Sequence, residues 1–367
     1  MDMTAYPSPG WKLSDPWASL ADEAAEANCF YAPELLRPAL RHLQGKEEVR
    51  LIEAWSDGLL IGLLPVVTAM RHGRLQIPHV ANWIHRHCFF GAPLLAKGSE
   101  SAAWEHLLEK LDQDPRARGF LHLKGLDENG EGVRALRDLC TRQGRGIQLV
   151  NRYERAFLNS SLSATDYWET NMRAKKRKEI RRLQNRLQEL GEVQSDILSD
   201  AADLDRWCED FLELERRGWK GAENTAMACD PADVAFFRES ITAAFENERL
   251  MFLRLDLDGR PLAMLVNFLM GNGGFSFKIA FDETMARFSP GVLIEIENLR
   301  QVLDRNYAVW MDSCAAPGHP MIDSLWAERR TIVQYRVELK GRCRRPSWEL
   351  MEVADWLAAL IRKVRKK

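Results

Sequence analysis

From residue 249 to residue 281 the sequence spells three strands in succession with no helix between them, and few folds accept that order. Residues 249–257 and 261–270 flank the turn signal Asp258-Gly259, and residues 274–281 follow at once. A turn that short joins antiparallel neighbours. Two helices (203–217 and 231–247) precede the run, and helix 290–304, strand 308–313, helix 320–329 and strand 332–339 complete it. The order predicts a mixed α+β layer arrangement.

The third strand, FSFKIAFD, sets Phe275, Phe277, Ile279 and Phe281 against Ser276, Lys278, Ala280 and Asp282. Strict alternation puts the second set on one face. Ser289-Pro290-Gly291 then opens a helix whose Val292, Ile296, Leu299 and Leu303 make an apolar stripe. A helix start exposes unpaired N–H groups and the positive end of the macrodipole, which suits an anion. Ser289 is expected to cap, Pro290 to fill N1, and Gly291 to admit a ligand close to the backbone. An ordinary helix start is the plainer reading of the same residues.

The first half reads as helix 22–43, a hairpin within 49–70 turning at Ser56-Asp57-Gly58, an irregular stretch 75–95, helix 101–112, strand 119–126, helix 132–143 and strand 147–158. Both halves run helix, hairpin, then strand and helix in alternation. With 367 residues available for two cores, the expected division is a lead-in at 1–21, domains at 22–160 and 161–345, and an amphipathic basic helix at 346–367.

One long helix is expected at 163–190, capped near Ser163 and stopped by Gly191. It carries Arg173, Lys175, Lys176, Arg177, Lys178, Arg181, Arg182 and Arg186, while Ile180 and Leu183 give it a packing side. The whole chain has a net charge of -2, which lacks the footprint of a duplex binder, so no nucleic acid is expected as a partner. Seven scattered cysteines without a CxxC pair predict a reducing cytosol. In NWIHRHCFF, His85 and His87 have no nearby carboxylate to complete a metal site, so no metal is expected. They either line an acceptor cleft or are satisfied histidines of an irregular segment.

The start, MDMTAYPSPGWKL, lacks the basic and apolar regions of a signal peptide, and no apolar run reaches the roughly 20 residues of a spanning helix. The prediction is a cytoplasmic protein. Its basic C-terminal helix either docks on the domain or rests on the inner face of an anionic membrane.

The pieces NMRAKKRKEIRRLQNRLQELGE, FLELERRGW, LRLDLDGRPLAMLVNF, FSFKIAFDETMARFSPGVLIEIENLRQ and VWMDSCAAPGHPMIDSLWAERR, in this order, resemble the GNAT acyltransferase superfamily. The resemblance is to its two-domain branch of CelD-like proteins and FemX-like peptidoglycan amino-acid transferases, and it covers about residues 22–345. It implies two GNAT-like domains, each a mixed, largely antiparallel sheet flanked by helices. The activity it implies is N-acyl transfer from acyl-CoA to a primary amine, either a long-chain lipid amine giving a ceramide-like product or an amino sugar of the cell envelope. The alternatives are aminoacyl transfer from charged tRNA, and non-catalytic acyl-CoA binding in polysaccharide assembly.

By the same resemblance Lys278, Arg287, Ser289, Pro290, Gly291 and Val292 hold the cofactor, with the third strand splaying from the next to receive the pantetheine arm. The family loop Q/R-x-x-G-x-G/A is reduced here to Arg287-Phe288-Ser289-Pro290-Gly291-Val292, with a single glycine. Trp219 and Lys220, with His85 and His87, fall where an acceptor is gripped. An alkyl ammonium has a pKa of about 10 and must lose a proton before it attacks. The candidate bases are His319, Asp282 and Asp312, of which His319 has the most suitable intrinsic pKa.

Overall fold

A computed structural model describes residues 15–341 and 344–354. In chain order its elements are α1 (Pro16–Asp22), α2 (Pro33–His42), β1 (Arg50–Ser56), β2 (Leu59–Ala69), β3 (His79–Asn82), β4 (Leu94–Leu95), α3 (Glu100–Gln113), β5 (Phe120–Asp127), α4 (Glu131–Gln143) and β6 (Ile147–Leu158). There follow α5 (Ala164–Asn171), α6 (Ala174–Gln188), β7 (Val193–Ile197), α7 (Leu204–Arg217), α8 (Trp219–Ala222), α9 (Pro231–Glu246), β8 (Leu250–Leu257), β9 (Arg260–Met270), β10 (Gly273–Phe281), α10 (Pro290–Leu303), β11 (Trp310–Asp312) and β12 (Glu328–Glu338). The chain forms two compact units. The C-terminal unit holds Ala32–Leu43 and Glu154–Arg330; the N-terminal unit holds Pro16–Tyr31, Gln44–Tyr153 and the described residues from Thr331 on.

In the N-terminal unit the strand order is β1-β2-β3-β5-β12, with β4 beside β2. The successive pairings are antiparallel, antiparallel, parallel and antiparallel. The hairpin of β1 and β2 turns through Asp57 and Gly58, both at positive φ (50° and 78°), the geometry that matches strand twist and that an Asp-Gly pair supplies. Helix α3 packs on β1 and β2 through buried Trp104, Leu107, Leu108 and Leu111.

In the C-terminal unit the order is β7-β8-β9-β10-β11-β6. From β8 to β6 its pairings repeat the same sequence: antiparallel, antiparallel, parallel, antiparallel. Alternate residues of β8 serve two layers. Phe252 packs with Trp207 and Phe211 of α7, while Met251 and Leu253 join a core with Tyr167, Ile180, Leu187, Leu293, Ile294, Leu299 and Trp326. Each unit is therefore the mixed, largely antiparallel sheet with helices that was expected.

The units trade segments. The expected helix 22–43 does not form as one: α1 ends at Asp22, and only a 3-10 turn at Cys29–Tyr31 and α2 fall within it, α2 opening on Pro33 in its first turn, where a missing N–H is tolerated. Helix α2 then packs on α9 in the C-terminal unit, where Glu34 meets Arg249 at 2.8 Å. Residues 331–341, expected in the second domain, group instead with the N-terminal unit because β12 pairs with β5.

Two further helical expectations change. Helix 163–190 breaks at Met172, which is extended (φ -106°, ψ 132°) between α5 and α6. The Arg177 guanidinium donates to the carbonyls of Glu169 and Met172, each at 2.6 Å, and satisfies the helix end. Ser163 does cap α5, accepting from the Asp166 N–H. Helix 320–329 reduces to a 3-10 turn at Ile322–Ser324, with Arg329 donating to the carbonyls of Trp326 and Asp323 at 2.7 and 3.1 Å. The C-terminal helix is described only to residue 354, with Trp348 and Met351 buried and Leu350 and Val353 exposed. Its later apolar residues and basic tail, like residues 1–14 of the lead-in, lie outside the described residues. Among the described residues no helix is long and apolar enough to cross a membrane.

Candidate active site

The site begins with a fault in β10. Its pairing with β9 slips between Ser276 and Lys278, leaving Phe277 as the extra residue of a bulge. Its parallel pairing with β11 ends at Phe275↔Asp312. From Ser276 to Phe281 that edge of β10 has left its neighbour, so its N–H and C=O groups face a gap that an extended ligand can pair with. The bulge also breaks the strict alternation expected of FSFKIAFD. Ala280 is buried, whereas Lys278, Ile279 and Phe281 are all half-buried.

Beside the gap lies the start of α10. The expected Ser289 side-chain cap is absent: Ser289 is left-handed (φ 53°, ψ 52°) and its hydroxyl caps nothing. The preceding 3-10 turn, Glu283–Phe288, claims the residue, since the Ser289 N–H bonds back to the Ala286 carbonyl at 2.9 Å. Its own carbonyl accepts from Val292 and Leu293 at 2.9 and 3.2 Å, which consumes two of the helix's early donors. Pro290 fills N1 as expected. Gly291 is buried; a Cβ there would lie 3.4 Å from Phe281, 3.6 Å from the Met321 sulfur and 3.7 Å from Ile279. The loop after β11 thus reaches the helix mouth through Met321.

Positive charge surrounds this mouth. Arg287 sits 4.8 Å over the Phe288 ring, α6 packs on the 3-10 turn that carries both residues, and Lys176 of α6 bonds the Ser324 hydroxyl. Ile180, Leu183 and Leu187 bury one side of α6, as its intercalated apolar residues predicted. Lys175, Lys178, Arg181, Arg182 and Arg186 remain exposed.

At the far end of β10 a second feature takes shape. Glu215, only 3 % exposed on α7, accepts from the Lys220 ammonium at 2.7 Å and from the Met227 N–H at 2.8 Å, and lies 3.9 Å from the Lys278 ammonium. Burial pushes Lys278 below the usual lysine range, and Lys220 pushes the same way, against Glu215 and Asp233. Glu215 and Lys220, with Leu214, Gly218, Trp219, Phe281 and Glu283, line a niche of about 20 Å³, room for one water-sized group. The Trp219 N–H is fixed by Glu283 at 2.7 Å, while its indole is 52 % exposed. Lys278, expected at the cofactor, therefore stands with Trp219 and Lys220, and Glu215 is the residue that sequence reasoning missed.

The three candidate bases have different surroundings. Asp312 is fully buried, accepting from Arg155 at 2.6 Å, Arg330 at 3.0 Å and the Cys314 N–H at 2.9 Å. Burial alone would raise its carboxyl, but the two guanidiniums outweigh it and hold the group below its ordinary range. Such a carboxylate is an ion-pair hub and a poor base, a correction to the expected role. Asp282 caps the 3-10 turn, accepting from the Thr284 N–H at 2.9 Å and hydroxyl at 2.6 Å. His319 is half-buried in the loop that carries Met321, its Nδ1 accepting from the Ile322 N–H at a long 3.4 Å.

His85 and His87 belong to the N-terminal unit and Trp219 and Lys220 to the C-terminal one. Both histidines are buried, and the His85 Nδ1 accepts from the His87 N–H at 3.3 Å. A buried polar chain in α10 was also missed: Asn298 donates to Glu295 at 3.1 Å and accepts from Asn267 at 3.0 Å. Burial pushes the Glu295 carboxyl up to about 7.

Residues 174–317, which contain the gap, the helix mouth and the niche, match the acetyltransferase (GNAT) domain family. No curated protein sequence matches the chain. Among solved structures, FemX superposes with a TM-score of 0.60 at 10 % identity, covering 92 % of this chain and 97 % of that one. A conserved protein of unknown function from Bacteroides thetaiotaomicron gives 0.53 at 14 % identity, over 88 % and 95 %. The C-terminal domain of a putative lysylphosphatidylglycerol synthetase from Agrobacterium fabrum gives 0.53 at 12 % identity, over 92 % and 94 %. At such identities the likeness is one of fold.

Proposed function

We propose that this chain, which has the two-domain GNAT-superfamily fold, is an N-acyltransferase whose C-terminal unit moves an acyl group from acyl-CoA to a primary amine. The observation that carries the reading is the departure of β10 from β11 at the Phe277 bulge, beside the start of α10. The freed edge of β10 pairs with the pantetheine arm and offers an N–H to the oxyanion that forms as the thioester carbonyl is attacked. The pyrophosphate sits at the mouth of α10, where Ser289, Pro290, Gly291 and Val292 give close access to the backbone and Arg287 and α6 supply charge.

The acceptor amine enters beside Trp219 and Lys220, with Glu215 and Lys278 ordering its polar end. His319 takes the proton as the amine nitrogen bonds to the acyl carbon; the C–S bond breaks and CoA leaves as a thiolate that is then protonated. An acceptor carried on the cell envelope, a lipid amine or an amino sugar, suits a chain with a basic C-terminal tail that meets anionic lipid.

A second donor, aminoacyl-tRNA, is favoured by one observation: the exposed cations of α6. The two are separated by supplying acyl-CoA or charged tRNA with the same amines to the wild type and to a Lys175→Glu, Lys178→Glu, Arg181→Glu variant. Amide formation from acyl-CoA supports the reading; turnover confined to charged tRNA and lost in the variant would replace it.

A further inference from the structure

Outside the candidate active site, the N-terminal unit gathers three histidines from separate parts of its sheet. Strand β2 pairs Ala69 with His79, and β3 pairs Ala81 with His122 of β5 in parallel. Register partners share a face, and so do residues two apart on a strand, so His79 and His122 project on one side. His72 joins them from the turn after β2, where it exchanges hydrogen bonds with Leu75 around a left-handed Gly73 (φ 56°). One ring nitrogen from each of the three lies within 4.8 Å of the others.

The tautomers point the right way. His79 Nδ1 is 2.9 Å from the Ile77 carbonyl, which only accepts, so Nδ1 carries the proton and Nε2 keeps its lone pair. His122 shares a hydrogen bond with Gln334 while its Nε2 is buried with no partner. A backbone carbonyl or side-chain partner behind an imidazole is the arrangement that orients metal-ligating histidines. His79 is 1 % exposed and His122 9 %, whereas His72 is half-buried and leaves the cluster open on its side.

We propose that His72, His79 and His122 form a binding site for a divalent transition metal, zinc by ligand type, with solvent in the fourth position. Three imidazole nitrogens at about 2.1 Å from a tetrahedral ion stand about 3.4 Å apart. The present separations, at most 4.8 Å, close to that spacing by a movement of up to about 1.4 Å. Lys124 and Arg336, the cations that act on His79, add repulsion and favour an anionic ligand such as hydroxide in the fourth position. The competing account is an aromatic cluster, since His79 also stacks on Phe120 at 4.8 Å and 16°.

The test is titration of the tag-free, metal-stripped full chain with Co²⁺, followed by its visible d–d absorption, with Zn²⁺ as competitor. The expected result is a four-coordinate spectrum saturating at one ion per chain and displaced by Zn²⁺. His72→Gln, placed on the turn where folding is spared, is expected to weaken binding roughly a hundredfold, with His122→Gln as the second variant. Absence of a one-to-one complex, or a wild-type affinity in His72→Gln with an unchanged circular dichroism spectrum, would overturn the site in favour of the aromatic cluster.

Discussion

Replacing Gly291 by alanine separates a ligand seat from a plain helix start. The added methyl meets Phe281 at 3.4 Å and Met321 at 3.6 Å, ordinary contact distances, and the residue sits one position past Pro290 in α10. Exchanging glycine for alanine within a helix favours folding by about 0.5–1 kcal/mol. The expected thermal midpoint is therefore unchanged or slightly higher. A pyrophosphate oxygen that must come within hydrogen-bond distance of the backbone would meet the same methyl, and loss of one charge-assisted bond costs about 1.5–3 kcal/mol. CoA affinity, measured by isothermal titration calorimetry, should fall roughly 10- to 100-fold while the fold is intact. Equal CoA affinity in a variant of undiminished stability would refute the placement of the donor at this helix.

Two further predictions concern the frame around the site. Asp312→Ala takes the carboxylate from between Arg155 and Arg330, whose side chains are 2 % and 8 % exposed, and should cost about 3–5 kcal/mol in urea unfolding; a loss under about 1 kcal/mol would dismiss the hub. Because the Asp312 carboxyl is depressed in the fold, its contribution is fully present above the ordinary carboxylate value and is lost as pH falls through the folded one, a loss that Asp312→Asn should abolish. Glu295 works in the opposite sense. Its carboxyl is raised from 4.5 to about 7, so the folded state holds an extra proton between those values and stability declines as pH climbs through that window. Glu295→Gln should flatten the decline and gain up to roughly 3 kcal/mol at pH 8; an identical pH–stability curve would contradict the assignment.

What could be read in advance followed local chemistry. Asp57-Gly58 and Asp258-Gly259 announced their hairpins. The break at Met172 carries no proline or glycine; it follows from Tyr167, Met172 and Ile180 all joining one core, which a continuous helix cannot arrange. The Phe277 bulge depends on the register of β10 against β9 and leaves no mark in an alternating FSFKIAF. Ser289 resembled a cap because the preceding 3-10 turn was not foreseen.

Glu215 was legible and overlooked. It lies four residues after Phe211 and eight after Trp207, on the buried face of α7, whereas neighbouring Glu213 is the solvated partner of Arg216 and Arg217. The histidine cluster is the reverse case: His122 lies 43 residues beyond His79, and only the parallel pairing of β3 and β5 brings them together.

The central claim is group transfer from a thioester to an amine in the C-terminal unit. Its most direct measurement is mass spectrometry of the product formed from isotope-labelled short- and long-chain acyl-CoA with a sphingoid base and an amino sugar, each run against a His319→Ala variant. The account predicts a labelled amide with one CoA thiol released per amide, and a loss in kcat of about 100-fold or more in the variant. CoA bound at the helix mouth with no amide from any pair would contradict it.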